Sequence, residues 1–564
     1  MRTSNKIVVQ LIVEQCIANG MKHIVCSPGS RNAPLVIAFD EHPSIECFVI
    51  HDERSAAFFA LGMSMQLNAP VGVLCTSGSA SANYFPAVSE AFYQGIKLVV
   101  LTADRPEYWI NQGDGQTIQQ KNIFGDHVQH FCHFNENQVN EDGRWFVQRE
   151  TAIAFSKIKN DWSGPIHFNI GMNEPLYDTV EIEKPTARVI ELIKGQFSIP
   201  PHLKGALTKI LSLPKKMILV GQLVPDDAVN LLLAQLANDS SLTILVENTS
   251  NVQNNRFIHC IDRALNVIKE EEIEHYQPDL LITLGGAIVS KKVKAFLRKS
   301  KPQYHWKVGS DFEYMDTYQS LTHSFPVDTL EFLKEINDLQ YERSTSNYGG
   351  KWKQLDMLAK DKMSLFLGKT EFSDLKVFES LLDFVPDNTN LHMANSSVVR
   401  YCQLFDPIPT IQYRSNRGTS GIDGSTSTAA GAAFVSKDQL NVLITGDISF
   451  FYDSNALWNH YLGNNFRIIL INNGGGGIFR FIPGPLESKQ SAEFFEAQHQ
   501  FEAKEICAAF DVNYLKVEDL ESLEQCMADF YAFSENNRPK LIEIITPREK
   551  NDLVLKDFFK KLAQ

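Results

Sequence analysis

Short apolar runs alternate with segments of helical period along nearly the whole chain. "HIVCS" (23–27), "CFVI" (47–50), "VGVLCTS" (71–77), "KLVVLTAD" (97–104) and "PIHFNI" (165–170) are brief and β-rich. Between them, "SAAFFALGMSMQL" and "NYFPAVSEAFYQG" carry apolar residues at helical spacing. Such alternation predicts βαβ units and a parallel sheet covered on both faces. The pattern restarts after "EIEKPTARVIE", where "KMILVGQL", "LTILVEN", "DLLITLGG" and "QYHWKVG" form a second set. A polar stretch, "YERSTSNYGGK", reads as a linker. A third set follows in "NLHMA", "TIQYRS", "NVLITGD", "FRIILINN", "VNYLKV" and "KLIEIIT". Three doubly wound α/β domains of roughly 150–200 residues each are expected.

Open α/β sheets bind ligands beyond the carboxyl ends of their strands. The polar residues of this chain gather at those ends, in "SPGSRNAP", "HDERS", "SGSASAN", "GDIS" and "NNGGGG". Asp447 follows "NVLITG" directly, "SFFYDSNALWNHY" then has helical spacing, and "FRIILINN" returns as a neighbouring strand that ends at Asn473. A carboxylate, an amide and a glycine-loop carbonyl at one sheet edge make an all-oxygen set of the kind Mg²⁺ prefers, with phosphate oxygens completing its shell. The helix start after Asp447 adds free N–H groups, and the glycines permit close backbone approach. An ordinary strand–helix–strand unit with polar loop ends fits the same dipeptides. Two other phosphate motifs are absent: "GKT" at 368–370 has Met363 where a P-loop needs glycine, and the glycine run meets Phe479 where a dinucleotide fingerprint needs its third glycine.

Composition narrows the classes. The 564 residues are 44% hydrophobic and 21% charged, as in a globular protein. No apolar run is long enough for a membrane span, and "MRTSNKIVVQLIVEQ" reads as an amphipathic helix, not a signal peptide. Nine cysteines without a CxxC pair suggest a reducing compartment, hence the cytoplasm. A net charge of −14 argues against nucleic-acid binding. It also demands a local basic pocket for any anionic substrate.

GD followed some 26 residues later by NN resembles the signature of thiamine diphosphate enzymes. The further motifs "CSPGSRNAPL", "HDERSA", "TSGSASANYFPAVSEA", "LTADRP", "GQTIQQ", "NSSVVR" and "SNRGTSGIDGSTSTAAG" resemble the 2-succinyl-5-enolpyruvyl-6-hydroxy-3-cyclohexene-1-carboxylate synthase family within them. The match covers both outer domains, whereas the central one carries only "GGAIVSKK". The resemblance implies a pyrimidine-binding domain (1–180), a central α/β domain (190–340) and a diphosphate-binding domain (355–564). It implies thiamine diphosphate with Mg²⁺ or Mn²⁺ as cofactors, decarboxylation of 2-oxoglutarate, and 1,4-addition of the succinyl carbanion equivalent to isochorismate in menaquinone biosynthesis. Small-molecule substrates are expected, with no nucleic acid and no membrane span. Active sites would lie between subunits of a homodimer or a dimer of dimers.

Residue by residue, the resemblance gives Asp447, Asn473 and Gly475 to the metal, and Gly446, Ile448 and Ser449 to the diphosphate. Glu53 would activate the aminopyrimidine, with Gln116 beside the cofactor; from local sequence alone Glu53 reads equally as an acid at a helix N-terminus. Ile422 would prop the cofactor in its bent shape, and Ile478 and Phe479 would wall the thiazolium. Ser30, Arg31, Arg105, Gln116, Lys291, Lys292, Ser396, Arg400, Arg414, Arg417 and Ile482 would bind the two dianions, arginine being favoured because its planar fork holds carboxylates. Two positions depart from the pattern: Ile448 stands where glycine is usual, and Lys292 where the family has arginine.

"HVQHFCH" (127–133) invites a zinc reading, although its spacing fits no standard site. Two rival functions remain at this stage. One is another thiamine diphosphate-dependent 2-oxoacid decarboxylase or carboligase. The other is a catalytically dead α/β protein that binds a nucleotide or a partner.

Overall fold

The computed structural model describes residues 1–159, 163–183, 186–299, 301–480, 490–533 and 536–564. Three parallel sheets carry the chain. The first runs in spatial order Glu46–Val49, His23–Cys26, Val71–Cys75, Leu98–Asp104, Ile166–Gly171, His130–Asn135. The second is Leu242–Val246, Lys216–Val220, Leu280–Leu284, Tyr304–Val308, His323–Phe325. The third is Gln412–Arg414, Asn390–Met393, Asn441–Gly446, Phe466–Asn472, Lys540–Ile545, Asn513–Val517. The apolar runs are short because buried parallel strands need few residues to cross a covered sheet. An antiparallel ribbon of Arg2–Ser4 with Thr179–Glu181 ties the N-terminus to the end of the first unit.

The first and third units meet along two helices, Glu53–Leu67 and Ser425–Val435. Each spends a glycine at the crossing. A Cβ on Gly62 would stand 1.9 Å from Thr428 O, and one on Gly431 would stand 2.0 Å from Phe59 O. Backbone therefore touches backbone, and the N-terminus that carries Glu53 is fixed relative to the third sheet. The second and third sheets share another apolar core, which includes Trp352, Leu391 and Ile444.

Three local expectations are corrected. The N-terminal helix, Ile7–Ala18, is buried on every side and not amphipathic. Polar side chains are buried with it: Gln10 Nε2 donates to Ser4 O at 2.8 Å, and Glu14 faces His42 Nε2 at 3.3 Å. The segment after Asp447 is helical only to Tyr452, then continues as a 3₁₀ turn, Ser454–Leu457. The polar "YERSTSNYGGK" ends inside a helix, Tyr348–Leu367, whose Gly349 would bring a Cβ to 2.3 Å from Leu242 O.

Candidate active site

The strands Asn441–Gly446 and Phe466–Asn472 are neighbours in register, Gly446 opposite Ile471. Asp447 and Asn473 therefore leave the sheet side by side. Asp447 is buried; its Oδ1 accepts Ile448 N at 2.7 Å and its Oδ2 accepts Gly475 N at 2.9 Å. Asn473 is buried too, and its Nδ2 donates to Asp374 Oδ2 at 3.1 Å. Its Oδ1 is buried with no partner among the described residues. A buried acceptor left empty is costly, and beside a carboxylate it suits a hard cation. Gly475 has φ +150, and a Cβ there would stand 2.8 Å from Glu496 O, so the loop accepts only glycine. The next residue is tied to the same carbonyl, Gly476 N to Glu496 O at 2.6 Å.

Ser449 Oγ donates to Ile422 O at 3.0 Å, which fixes the half-buried Ile422 over the same edge. Gly446 has no atom within 4 Å of its missing side chain, an opening where the diphosphate is expected. Ile478 and Phe479 are half-buried in a 3₁₀ turn, Gly477–Arg480, and the Phe479 ring lies 6.0 Å from that of Phe495. Ile482 lies outside the described residues.

Glu53 is the first residue of its helix, with Asp52 as cap, Oδ1 accepting Ser55 N at 3.0 Å. Its neighbours in sequence are anchored to the third unit. Asp52 Oδ2 accepts Asn455 Nδ2 at 2.7 Å, and Arg54 Nη2 donates to Tyr452 O at 2.8 Å. Half-burial pushes the Glu53 carboxyl above its ordinary range. No hydrogen bond or ion pair among the described residues joins Glu53 to Asp447 or Asn473 of its own chain.

The basic residues fall into two groups. In the first unit, Arg31 is buried, its guanidinium donating to Met172 O at 3.2 Å and pairing with Glu174 at 2.9 Å. Arg105 donates to Gly115 O at 3.2 Å and meets Asp114 at 3.5 Å. Gln116 follows in that loop with φ 56, its backbone pressed against Gly78, and Ser30 is exposed beside Arg31. The second group lies between the second and third units. Arg400 has no hydrogen-bond partner among the described residues and follows Ser396, which is held at φ 75. Arg417 Nη1 donates to Asn395 Oδ1 at 2.7 Å. Its loop is clamped from the first unit, where Glu90 accepts Gly418 N and Thr419 N, each at 2.7 Å. Arg414 is buried on the edge strand, where desolvation lowers its pKa to about 10. Arg414 and Arg417 also line a cavity of 530 Å³ that extends to the strand ends of the second sheet at Gln222 and Gly285.

Lys291 is exposed, but Lys292 is directed elsewhere. Its Nζ donates to Asn266 Oδ1 at 2.7 Å and sits 3.4 Å from the centre of the Phe559 ring. Lys294 Nζ donates to Ile288 O at 2.7 Å, near the charges of Glu247, Arg417 and Arg400. The sequence reading missed Lys294, Glu247, Asp374 and His499. His499 Nε2 stands 3.4 Å from Asp447 Oδ2. Glu247 is buried and accepts Val289 N and Ser290 N, both at 2.7 Å. None of the four stands in a dipeptide that draws notice, and Lys294 lies just past the "GGAIVSKK" run, which ends at Lys292.

Three family models match in succession: the thiamine pyrophosphate enzyme N-terminal TPP binding domain over 7–124, the middle domain of thiamine pyrophosphate enzymes over 202–393, and the C-terminal TPP binding domain over 396–544. The chain is 43% identical over 559 residues to a protein of Flavobacterium psychrophilum, covering 98% of each. It is 38% identical over 565 residues to one of Porphyromonas gingivalis, covering 99% of this chain and 97% of that one. It is 37% identical over 572 residues to one of Bacteroides thetaiotaomicron, covering 100% of each. All three relatives are named 2-succinyl-5-enolpyruvyl-6-hydroxy-3-cyclohexene-1-carboxylate synthase.

Proposed function

Since this chain belongs to the 2-succinyl-5-enolpyruvyl-6-hydroxy-3-cyclohexene-1-carboxylate synthase family of thiamine diphosphate enzymes, we propose that it decarboxylates 2-oxoglutarate and adds the succinyl unit to isochorismate in menaquinone biosynthesis. Bound thiamine diphosphate supplies the carbanion chemistry that loss of CO₂ and attack on the acceptor require. The residues present fit it. Asp447, the orphaned Asn473 Oδ1 and the Gly475 carbonyl would hold Mg²⁺ or Mn²⁺. Gly446, Ile448 and Ser449 would offer the diphosphate an open edge and a helix start.

Glu53, whose carboxyl burial raises above its ordinary range, would share a proton with the pyrimidine nitrogen of the cofactor. Its own chain offers it no contact with the Asp447 cluster, and its carboxyl is half exposed. Both facts favour a site completed by a second copy, as homodimer or dimer of dimers. Arg400, with Ser396, Arg417 and Lys294, would take the carboxylates of the 2-oxo acid; Arg31, Arg105 and Gln116 would come from the other copy to take isochorismate. Ile422, Ile478 and Phe479 would exclude water from the reacting carbon.

The observation that carries the dianionic reading is Arg400, a half-buried guanidinium with no hydrogen bond among the described residues, in a chain of net charge −14. Asp262 and Glu247 act on it only as nearby charges, which leaves its N–H groups open to a ligand carboxylate. Cytoplasmic residence is proposed from nine free cysteines; no helix among the described residues is long and apolar enough to cross a membrane. The test is turnover of 2-oxoglutarate with thiamine diphosphate and Mg²⁺, with and without isochorismate. Product formation that needs both acids is expected. Steady CO₂ release that ignores isochorismate would point to a different decarboxylase of this superfamily.

A further inference from the structure

The run His127–His133 forms the edge strand of the first sheet, His130–Asn135. A period of two puts His130 and Cys132 on one face. The helix Glu141–Ile158 covers that face and brings Glu150 to them. Glu150 Oε2 lies 3.3 Å from His130 Nε2 and 3.8 Å from Cys132 Sγ. The three donor atoms all lie within 4.8 Å of one another. The other histidines of the run point away. His133 meets Glu107 and Asn169, and His127 packs among Phe85, Phe92 and Tyr93.

The two spacings to Glu150 Oε2 are those of a coordination shell. With Zn–N and Zn–O near 2.1 Å and Zn–S near 2.3 Å, a tetrahedron has edges of about 3.4 Å between N and O and about 3.6 Å between O and S. The carboxylate is also aimed. Arg149 Nε holds Glu150 Oε1 at 3.1 Å, and the guanidinium itself rests 4.4 Å from the centre of the Trp145 ring. Oε2 is thereby turned toward the imidazole and the thiol, the kind of outer support that metal-bound carboxylates receive. Cys132 is buried, whereas His130 and Glu150 keep 17% of their side chains exposed, which leaves an outward face for a fourth, water ligand. Arg149 and Lys157 beside the group offset its negative charge. An ion pair would account for His130 and Glu150 but not for the thiol beside them.

We propose that His130, Cys132 and Glu150 form a site for a borderline-soft divalent cation of the Zn²⁺ class, which pins the edge strand to its helix. Imidazole and thiolate select Zn²⁺ over Mg²⁺, so the site is chemically distinct from the all-oxygen set at Asp447. Binding replaces the Cys132 S–H proton, which leaves to solvent; no electron moves.

The test titrates Co²⁺ into chelator-washed protein that has been resaturated with thiamine diphosphate and excess Mg²⁺. A near-ultraviolet thiolate-to-Co²⁺ band should grow to one ion per chain and vanish when Zn²⁺ is added. Cys132→Ser should lack the band, and Arg149→Gln should weaken Co²⁺ binding about 10- to 100-fold, both with normal turnover. No band in the wild type, or an unchanged band in Cys132→Ser, overturns the proposal. Should Cys132→Ser fail to fold, Glu150→Gln decides: undiminished Co²⁺ affinity there overturns it equally.

Discussion

Asn473 Nδ2 donates to Asp374 Oδ2 across 3.1 Å, and that bond sets which end of the amide faces the glycine loop. Asp374 is itself fixed, accepting Thr546 Oγ1 at 2.6 Å, while its own N–H donates to Asn551 Oδ1 at 2.9 Å. With the NH₂ end of Asn473 committed, only Oδ1 remains for a cation beside Asp447. Asp374→Ala should therefore weaken Mg²⁺ and thiamine diphosphate binding about 10- to 100-fold, the usual cost of losing a ligand's outer partner. Asp374→Asn, which keeps an acceptor for the amide, should recover most of the loss. Fluorescence titration of the cofactor-free protein measures both. Wild-type affinity in Asp374→Ala would remove Asn473 from the metal shell.

Glu53 predicts a separation of binding from activation. Glu53→Gln keeps the shape but cannot hold the pyrimidine proton in the same way. Cofactor affinity should stay within a few-fold, while exchange of the thiazolium C2 proton, followed by NMR, slows about 10²–10⁴-fold. Exchange at the wild-type rate would leave Glu53 only its role at the start of its helix.

The two basic groups predict two kinetic phenotypes. A charge-assisted hydrogen bond contributes roughly 1.5–3 kcal/mol, so losing one should weaken its own substrate about 10- to 100-fold. Arg400→Ala should impair CO₂ release from 2-oxoglutarate alone. Arg31→Ala should leave that release intact and raise KM for isochorismate. Rapid-quench measurement of the first half-reaction separates them; equal damage by both variants would refute the division.

Lys292 is committed to Asn266 and to the Phe559 ring of the C-terminal helix. Lys292→Met should lower Tm by several degrees, since a desolvated cation–π contact contributes about 2 kcal/mol. KM for either acid should change less than about twofold. A large rise in KM without a change in Tm would return Lys292 to the substrate site. Lys294→Met should behave in the opposite way, because its charge faces Arg400 and Arg417.

The βαβ rhythm was legible because parallel strands buried on both faces are short apolar runs, and the Asp447–Asn473 edge was legible because two polar ends follow two such runs. Two strands of the parallel sheets escaped, as did the ribbon of Arg2–Ser4 with Thr179–Glu181. His130–Asn135 carries two histidines and a cysteine among its six residues, and His323–Phe325 has three residues, so neither offers an apolar run. The partners of the site escaped for a different reason. Asp374 is 99 residues from Asn473, and Glu247 is 170 residues from Arg417; nothing local in either sequence announces the contact. At Lys292, family position fixes a place on the helix Lys291–Lys299 but not which neighbours the long side chain finds.

Glu247 gives the remaining prediction, one about pH. Its two oxygens accept the Val289 and Ser290 N–H groups just before that helix, and complete burial pushes its carboxyl up to about 7. Asp262 raises it further, while Arg417 draws it down; Arg400, Lys294 and Tyr318 face it as well. An unfolded glutamate titrates near 4.5. Between about 4.5 and 7 the unfolded chain gives up its proton while the folded chain keeps it. The contribution of this group to stability is thus complete below 4.5 and is lost as pH rises through 7. Glu247→Gln cannot titrate. It leaves one N–H short of an acceptor at every pH, a constant cost of about 1–3 kcal/mol. Its Tm should therefore lie below that of the wild type at pH 5, and the gap should narrow toward pH 7.5. Above pH 7 an ionised Glu247 also competes with substrate carboxylates for Arg400, Arg417 and Lys294. KM for 2-oxoglutarate should climb there in the wild type and stay flatter in Glu247→Gln. A Tm gap that does not change with pH would show that Glu247 is already ionised across this range, held so by the cations around it.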